Sequence, residues 1–241
     1  MPKFVELWVY LSSTPLFGLT ATLVVYVLVQ AAYVQLKQAP WANPVLWTVV
    51  LIAAVLLGTG VTYPTYFSGA QFIHFLLGPA VVALAWPLWE RRLALRQRWR
   101  ALLVAALAGG VAASGSALLL GWAVGLPADV VLSLAPKSVT APVAMGIADK
   151  IGGIPALAAV FAVITGMVGA LSGKYLFDAL QVGTDPAGWM ARGFALGTAA
   201  HGIGAARALQ VNADAGAYAG LALGLQVILA SLLIPLAFRF F

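Results

Sequence analysis

The segment Asp129-Val-Val-Leu-Ser-Leu-Ala-Pro136-Lys137-Ser138-Val139-Thr140-Ala-Pro142-Val-Ala-Met-Gly-Ile-Ala-Asp149-Lys150-Ile-Gly-Gly153 begins as an apolar helix, breaks, and resumes. Proline removes a backbone donor and clashes with the preceding turn. Pro136 and Pro142 therefore leave several amides and carbonyls between them without helical partners. Hydrocarbon cannot satisfy such groups, so a break at membrane depth must be buried in protein or line a wet cavity. This break also carries a lysine and two hydroxyls. An ionisable residue inside a membrane is costly and marks a functional site by default.

The flanks place this segment in a membrane. Of 241 residues, 63% are hydrophobic and 8% charged, and mean hydropathy is +1.00. A soluble domain carries about 25% charged residues. Apolar runs over 14–34, 44–58, 72–89, 101–125, 154–177 and 218–238 predict spanning helices, because lipid requires every backbone group to be satisfied within the segment. The broken segments 129–153 and 187–209 bring the total to about eight, with at least two interrupted helices. Phe4–Leu11 reads as an interfacial segment bearing Trp8. The stretch 58–71 is too polar and too glycine-rich for a lipid-facing helix. The fold class is all-α, one polytopic membrane domain over 1–241.

The 13 Lys and Arg outnumber the 7 Asp and Glu. Arg91, Arg92, Arg96, Arg98 and Arg100 crowd one loop between two spans, which fits a cytoplasmic loop facing anionic membrane lipid. No nucleic-acid-binding motif accompanies them. If every segment is a simple crossing, Lys37, these arginines, Lys150 and Arg207 lie inside. Lys3, Lys174 and Arg239 then lie outside, with Arg192 just within the outer side. A re-entrant hairpin at either broken segment changes that count. Met1-Pro2-Lys3, with Glu6 and a broken apolar run, predicts that the first span serves as the targeting signal in place of a cleaved leader. Leu77-Gly-Pro-Ala80 echoes Leu134-Ala-Pro-Lys137, compatible with duplicated units of the kind carriers use.

Three places carry candidate chemistry. Lys137, beside the N-terminal end of the helix resuming near Ala141, suits a carboxylate; it would otherwise snorkel or neutralise an acid such as Asp129. In Gly197-Thr198-Ala-Ala-His201-Gly202-Ile-Gly204-Ala-Ala-Arg207, Thr198 and His201 share a helix face. Gly202 and Gly204 allow a kink or a close approach, and His201 can exchange a proton near neutrality. The plainer reading is a small-residue packing face with His201 bonded to a neighbour. Arg207 serves as an anchor or a ligand. Tyr63, Tyr66, Ser68 and Gln71 form the third group, where tyrosines commonly mark the interface. His74 reads as structural. The chain has no cysteine and only two histidines, so neither a metal site nor a cofactor is expected. No serine elbow, H-E-x-x-H or Walker A loop is present, so neither catalysis nor ATP-driven pumping is expected.

Ser133–Pro142, Ile151-Gly-Gly-Ile-Pro-Ala156, Phe194-Ala-Leu-Gly-Thr198, His201-Gly-Ile-Gly204 and Ala206-Arg-Ala-Leu209 resemble the LrgB/CidB family, as does Phe75-Leu-Leu-Gly-Pro-Ala80. The resemblance covers roughly Val45 to Phe238. It departs at Ala200 and Ala205, where family members commonly carry hydroxyls, and at Gly69-Ala70, where a glycine pair is usual. The resemblance implies a multi-pass protein of the bacterial inner membrane. Two functions come with it: a holin- or antiholin-like regulator of murein hydrolase export and autolysis, or a carrier of monocarboxylates such as glycolate, glycerate, lactate or pyruvate. It further implies a homo-oligomer and a small LrgA/CidA-like partner. In the carrier reading, Lys137 and the broken-helix end between Pro136 and Pro142 hold the carboxylate. Ser138 and Thr140 hold the remaining oxygens. His201, with Thr198, Gly202 and Gly204, completes the site or carries a coupled proton, and Tyr66 and Arg207 contribute.

Overall fold

The computed structural model describes residues 15–76 and 92–239, with Pro79, Val82, Trp86 and Trp89 between them. Helix is the only regular structure among the described residues, as the apolar runs require. Phe4–Leu11, Arg91 and most of the Leu77–Ala80 echo lie outside them. The chain divides into two compact units, Met1–Ala83 and Leu84–Phe241.

The first unit holds α1 (Pro15–Gln35), a 3-10 turn (Pro40–Ala42), α2 (Pro44–Thr59) and α3 (Tyr63–Phe75). Asn43 caps α2, its Oδ1 accepting from the Val45 and Leu46 amides at 3.0 and 3.1 Å, which satisfies two amides that a helix start leaves open. The stretch 58–71, expected to be too polar for a lipid-facing helix, is helical from Tyr63. Its polar side chains close on their own turn: Ser68 Oγ donates to the Thr65 carbonyl at 2.7 Å and Gln71 Nε2 to that of Ser68 at 2.8 Å. Little of its polarity is left to satisfy.

The second unit holds α4 (Arg92–Ala123), α5 (Ala128–Leu134), α6 (Ala141–Ile151), α7 (Pro155–Ala179), α8 (Pro186–Val211) and α9 (Ala213–Ala237). The expected loop of arginines is the first turns of α4, where Arg92, Arg96, Arg98 and Arg100 are exposed. Arginine is a good helix former, so the charge does not end the helix. Helices α1, α4, α7 and α9 are long and apolar enough to cross a membrane. Helices α4 and α9 run the same way. Leu102 clusters with Tyr218 and Ala222, and buried Gln226 donates to the Ala106 carbonyl at 2.6 Å.

The fifth segment does not cross. Leu134 on α5 lies against Gly121, and Ser114 Oγ donates to the Ala135 carbonyl at 2.7 Å. The chain turns through 135–140 and comes back as α6. Ser133 Oγ, which donates to the Asp129 carbonyl, accepts from the Ile154 amide at 2.7 Å. Ile151 shares a cleft with Trp122, Leu126, Ala128 and Phe238, so α6 ends where α4 and α9 end. An 11-residue helix reaches about 16 Å, half of a ~30 Å hydrocarbon core.

The seventh segment also returns. Asp185 caps α8 through the Gly188 amide at 3.1 Å, and the first limb runs to Ala200. There the backbone leaves the helix, at Ala200 (φ −119°, ψ 16°) and His201 (φ 41°, ψ −134°). Positive φ is unusual for a residue with a Cβ. The limb 202–211 doubles back, with Gly204 against the Leu196 carbonyl and the Ala200 methyl. Arg207 and Val211 then line one cavity with Trp189 and Arg192 of the first limb. Asn212 caps α9, accepting from the Asp214 and Ala215 amides at 2.9 and 3.1 Å.

Two re-entrant hairpins therefore enter from opposite ends of the second unit. Each is followed by a 25-residue span, α7 or α9. This is an inverted repeat of hairpin plus span, a recurrent carrier architecture. It corrects the sidedness expected for simple crossings. Because 129–153 turns back, Lys150 lies at the end where α4 finishes. Lys174 and Arg192 lie at the arginine-bearing end, where Arg98 Nη1 contacts Met190 sulfur at 3.7 Å.

The hairpin seated on α9 leaves no room for a methyl group at Gly197, whose added Cβ would run into the Ala219 carbonyl. Gly197→Ala should cost roughly 1–3 kcal/mol through overpacking. The readout is the thermal midpoint in detergent, and an unchanged midpoint would mean the two helices part freely.

Candidate functional site

The hairpin tips meet. Gly202 faces Thr140, a Cβ at Gly202 lying 3.9 Å from the Thr140 methyl. On the first tip Pro136 is fully buried, as are Val139 and Ser133. Local bonds close part of the break, with the Lys137 amide donating to the Leu134 carbonyl and that of Val139 to Pro136, each at 3.2 Å. Thr140 is the N-cap of α6 without a side-chain cap bond, and Pro142 stands in its first turn. Pro142 is thus a helix starter as much as a breaker. The first amides of α6 lack an internal partner by construction.

Lys137 is half-buried. No hydrogen bond or ion pair joins its ammonium to the described residues, and Asp129, expected as one neutralising partner, accepts from the Val130 amide. Ser138 is 4% exposed, and its Oγ has no hydrogen-bond partner among the described residues. On the second hairpin Thr198 is 5% exposed, with an Oγ1 likewise unpartnered. A buried hydroxyl left unpaired costs about 1–3 kcal/mol. Both hairpins thus hold polar capacity that the protein does not use.

His201 is buried, and its Nε2 lies 2.8 Å from the Ala162 carbonyl of α7. A carbonyl only accepts, so Nε2 carries the hydrogen and Nδ1 remains as acceptor. The bond also pins the backbone at its positive φ. Gly166 makes it possible, because a Cβ there would sit 2.8 Å from the imidazole.

The remaining expected residues are spread. Thr198 points its methyl at Gly109 of α4. Arg207 lies on the return limb, lining the cavity with Lys174 and Arg192. Tyr66 belongs to the first unit, where its hydroxyl bonds Thr22 Oγ1 at 2.6 Å. Sequence reading missed Ser114 and Gln226, which tie α4 to the first tip and to α9. The signal for Gln226 was legible as a lone amide within the apolar run of α9. Among the described residues no cluster of His, Asp and Glu could hold a metal ion.

The fold and this arrangement define a polytopic α-helical membrane protein with opposed re-entrant hairpins. Its sequence matches the LrgB-like family over residues 22–240, and the chain belongs to that family. It is 34% identical to YxaC, an uncharacterized protein of Bacillus subtilis, over 89% of this chain and 94% of that one. The holin-like protein CidB of Staphylococcus aureus is 30% identical over 84% of this chain and 86% of its own. A Haemophilus influenzae protein is 32% identical over 82% and 84%. No solved structure matches.

Proposed function

We propose that the protein is a secondary carrier of small monocarboxylates of the glycolate, glycerate, lactate or pyruvate type. The observation that carries this reading is the Lys137 ammonium, without an ion-pair partner among the described residues, at a tip facing a second re-entrant tip. An uncompensated charge at membrane depth is expensive. A substrate carboxylate would neutralise it, helped by the open amides of α6. Ser138 and Thr140 would take the other oxygens, between helix ends set by Pro136 and Pro142. Thr198, His201, Gly202 and Gly204 would form the opposite wall, and His201 Nδ1 would accept a coupled proton. Tyr66, bonded to Thr22, is given a packing role. Reconstitution tests the reading: labelled glycolate or lactate should enter liposomes saturably.

The relatives' names favour a second reading. Proteins named holin-like CidB share the fold-bearing length of this chain, which supports a holin- or antiholin-like role in murein hydrolase export and autolysis. Such a protein would leak many solutes without saturation, or pass none unless a small LrgA/CidA-like partner is added. Homo-oligomers and contacts with anionic lipid fit either reading.

The bacterial inner membrane is the proposed location, with the arginine-bearing end of α4 cytoplasmic. Lys174, Arg192 and Arg207 then also lie inside, and Lys150 and Arg239 outside, in keeping with the positive-inside rule. The chain has no cysteine, so single cysteines report sidedness cleanly. An impermeant thiol reagent on intact cells should label Gly152→Cys and spare Thr184→Cys. Labelling of both from one side would refute the opposed hairpins, and the reverse pattern would invert the orientation.

A further inference from the structure

We propose that Ser114 of α4 is the positioning residue of the first hairpin tip, its hydroxyl fixing the peptide from which Lys137 departs. Ser114 is half-buried and donates to the Ala135 carbonyl at 2.7 Å. Helical hydroxyls ordinarily turn back on their own helix. Thr59, Ser116, Ser133 and Ser172 do so, each donating to a carbonyl three or four residues earlier. Ser114 instead reaches across to a segment 21 residues further on. The acceptor needs it. In an unbroken helix the Ala135 carbonyl would receive the Val139 amide, but that amide goes to the Pro136 carbonyl at 3.2 Å. Ala135 is fully buried. Without Ser114 its carbonyl would be left unpaired away from water, which folded proteins seldom tolerate.

The bond bears on Lys137 through covalent geometry. The Ala135–Pro136 peptide is planar, so orienting its carbonyl orients the Pro136 nitrogen. The proline ring then holds φ near about −65°. Only the ψ of Pro136 is left free between that peptide and Lys137. The same stretch of α4 receives the second hairpin. Gly109 lies against the Thr198 methyl, which an added Cβ would meet at 2.7 Å. Thr198 stands two residues before Ala200, where α8 leaves the helix. Gly110 makes room for the Gln226 amide, whose Oε1 an added Cβ would also meet at 2.7 Å. Glycine weakens a helix interior relative to alanine, so this pair marks required close approaches. Gly109 and Ser114 are about 8 Å apart along the axis of α4. Both tips are thus set against one short stretch of helix. Resting on the carrier reading, Ser114 places the ammonium where the substrate carboxylate meets it.

The test uses the full chain carrying Lys137→Cys, in nanodiscs of phosphatidylcholine. Adding Ser114→Ala should change the rate of maleimide labelling at least about threefold, because a lost hydrogen bond shifts a local equilibrium by that factor or more. Ser114→Thr keeps the hydroxyl and should label at the parental rate, with room for its methyl in the cavity of about 230 Å³ that Ser114 lines. Gly115→Ala adds a methyl where nothing among the described residues lies within 4 Å, and should do the same. Gly152→Cys, exposed at the far end of the hairpin, should label alike with and without Ser114→Ala, which a general loosening of the fold would not allow. With Lys137 in place, Ser114→Ala should raise the half-saturating glycolate concentration several-fold and leave maximal exchange unchanged. An unchanged rate at Lys137→Cys, or equal changes there and at Gly152→Cys, would overturn the positioning role. Saturable glycolate uptake alongside that result would leave the carrier reading standing. The expected labelling pattern in a protein that takes up no glycolate would sink the carrier reading and keep the role of Ser114 at the tip.

Discussion

Proteoliposomes carrying Lys137→Ala should take up glycolate or lactate with an apparent affinity at least about tenfold weaker, because a hydrogen bond to a charged group is worth roughly 1.5–3 kcal/mol. The structure sharpens the reason. Among the described residues the ammonium has no carboxylate partner to leave stranded, so its removal disrupts no ion pair among them. Insertion and thermal midpoint should stay near those of the parent. Lys137→Arg should keep the charge and lose the fit, since a guanidinium is broader and carries its donors in a fixed fork. Unchanged uptake by a well-folded Lys137→Ala protein would remove the tip from the transport path. The holin-like reading would then stand ahead, because a leak needs no anion-binding lysine.

His201→Gln should keep counterflow exchange and lose uptake driven by an imposed proton gradient. An amide can still donate to the Ala162 carbonyl, which His201 Nε2 approaches to 2.8 Å, so the reversal of α8 should persist. It cannot titrate, whereas histidine does so near about pH 6.5 in the absence of perturbation. Both activities would be measured on one reconstituted sample from about pH 5.5 to 8, a window around the histidine reference value. If both keep the parental pH profile, His201 is a clamp and not the coupling group. His201→Ala separates the two roles further. It removes the clamp at a backbone position of φ 41° and should lower the thermal midpoint even where exchange is not assayed.

Much of the architecture was written in local chemistry. Apolar runs too long and too free of charge for water predict helices in lipid, and α1, α4, α7 and α9 follow. The two breaks were equally visible, one from Pro136 and Pro142, the other from the glycines around His201. Each residue type carries its own backbone restriction wherever the chain places it. The intramembrane lysine and histidine were conspicuous for the same reason, since hydrocarbon penalises them regardless of neighbours.

Direction was not legible. A helix broken at mid-depth can continue to the far side or return, and its composition is the same in both cases. The choice rests on contacts between residues far apart in sequence: Ile154 on Ser133, Ile151 beside Trp122, and Arg207 back beside Arg192. Those contacts reverse α7, move Lys150 to one end and Lys174 and Arg192 to the other, and bring Thr140 to Gly202. They also take Arg207 out of the expected tip site and gather it with two other cations. Sequence alone determined the solvent, the helices and the places where they break. Tertiary packing alone decided which breaks face each other, because a buried polar group is satisfied by whatever side chain or carbonyl the fold brings within about 3 Å, and that pairing is not encoded in any single segment.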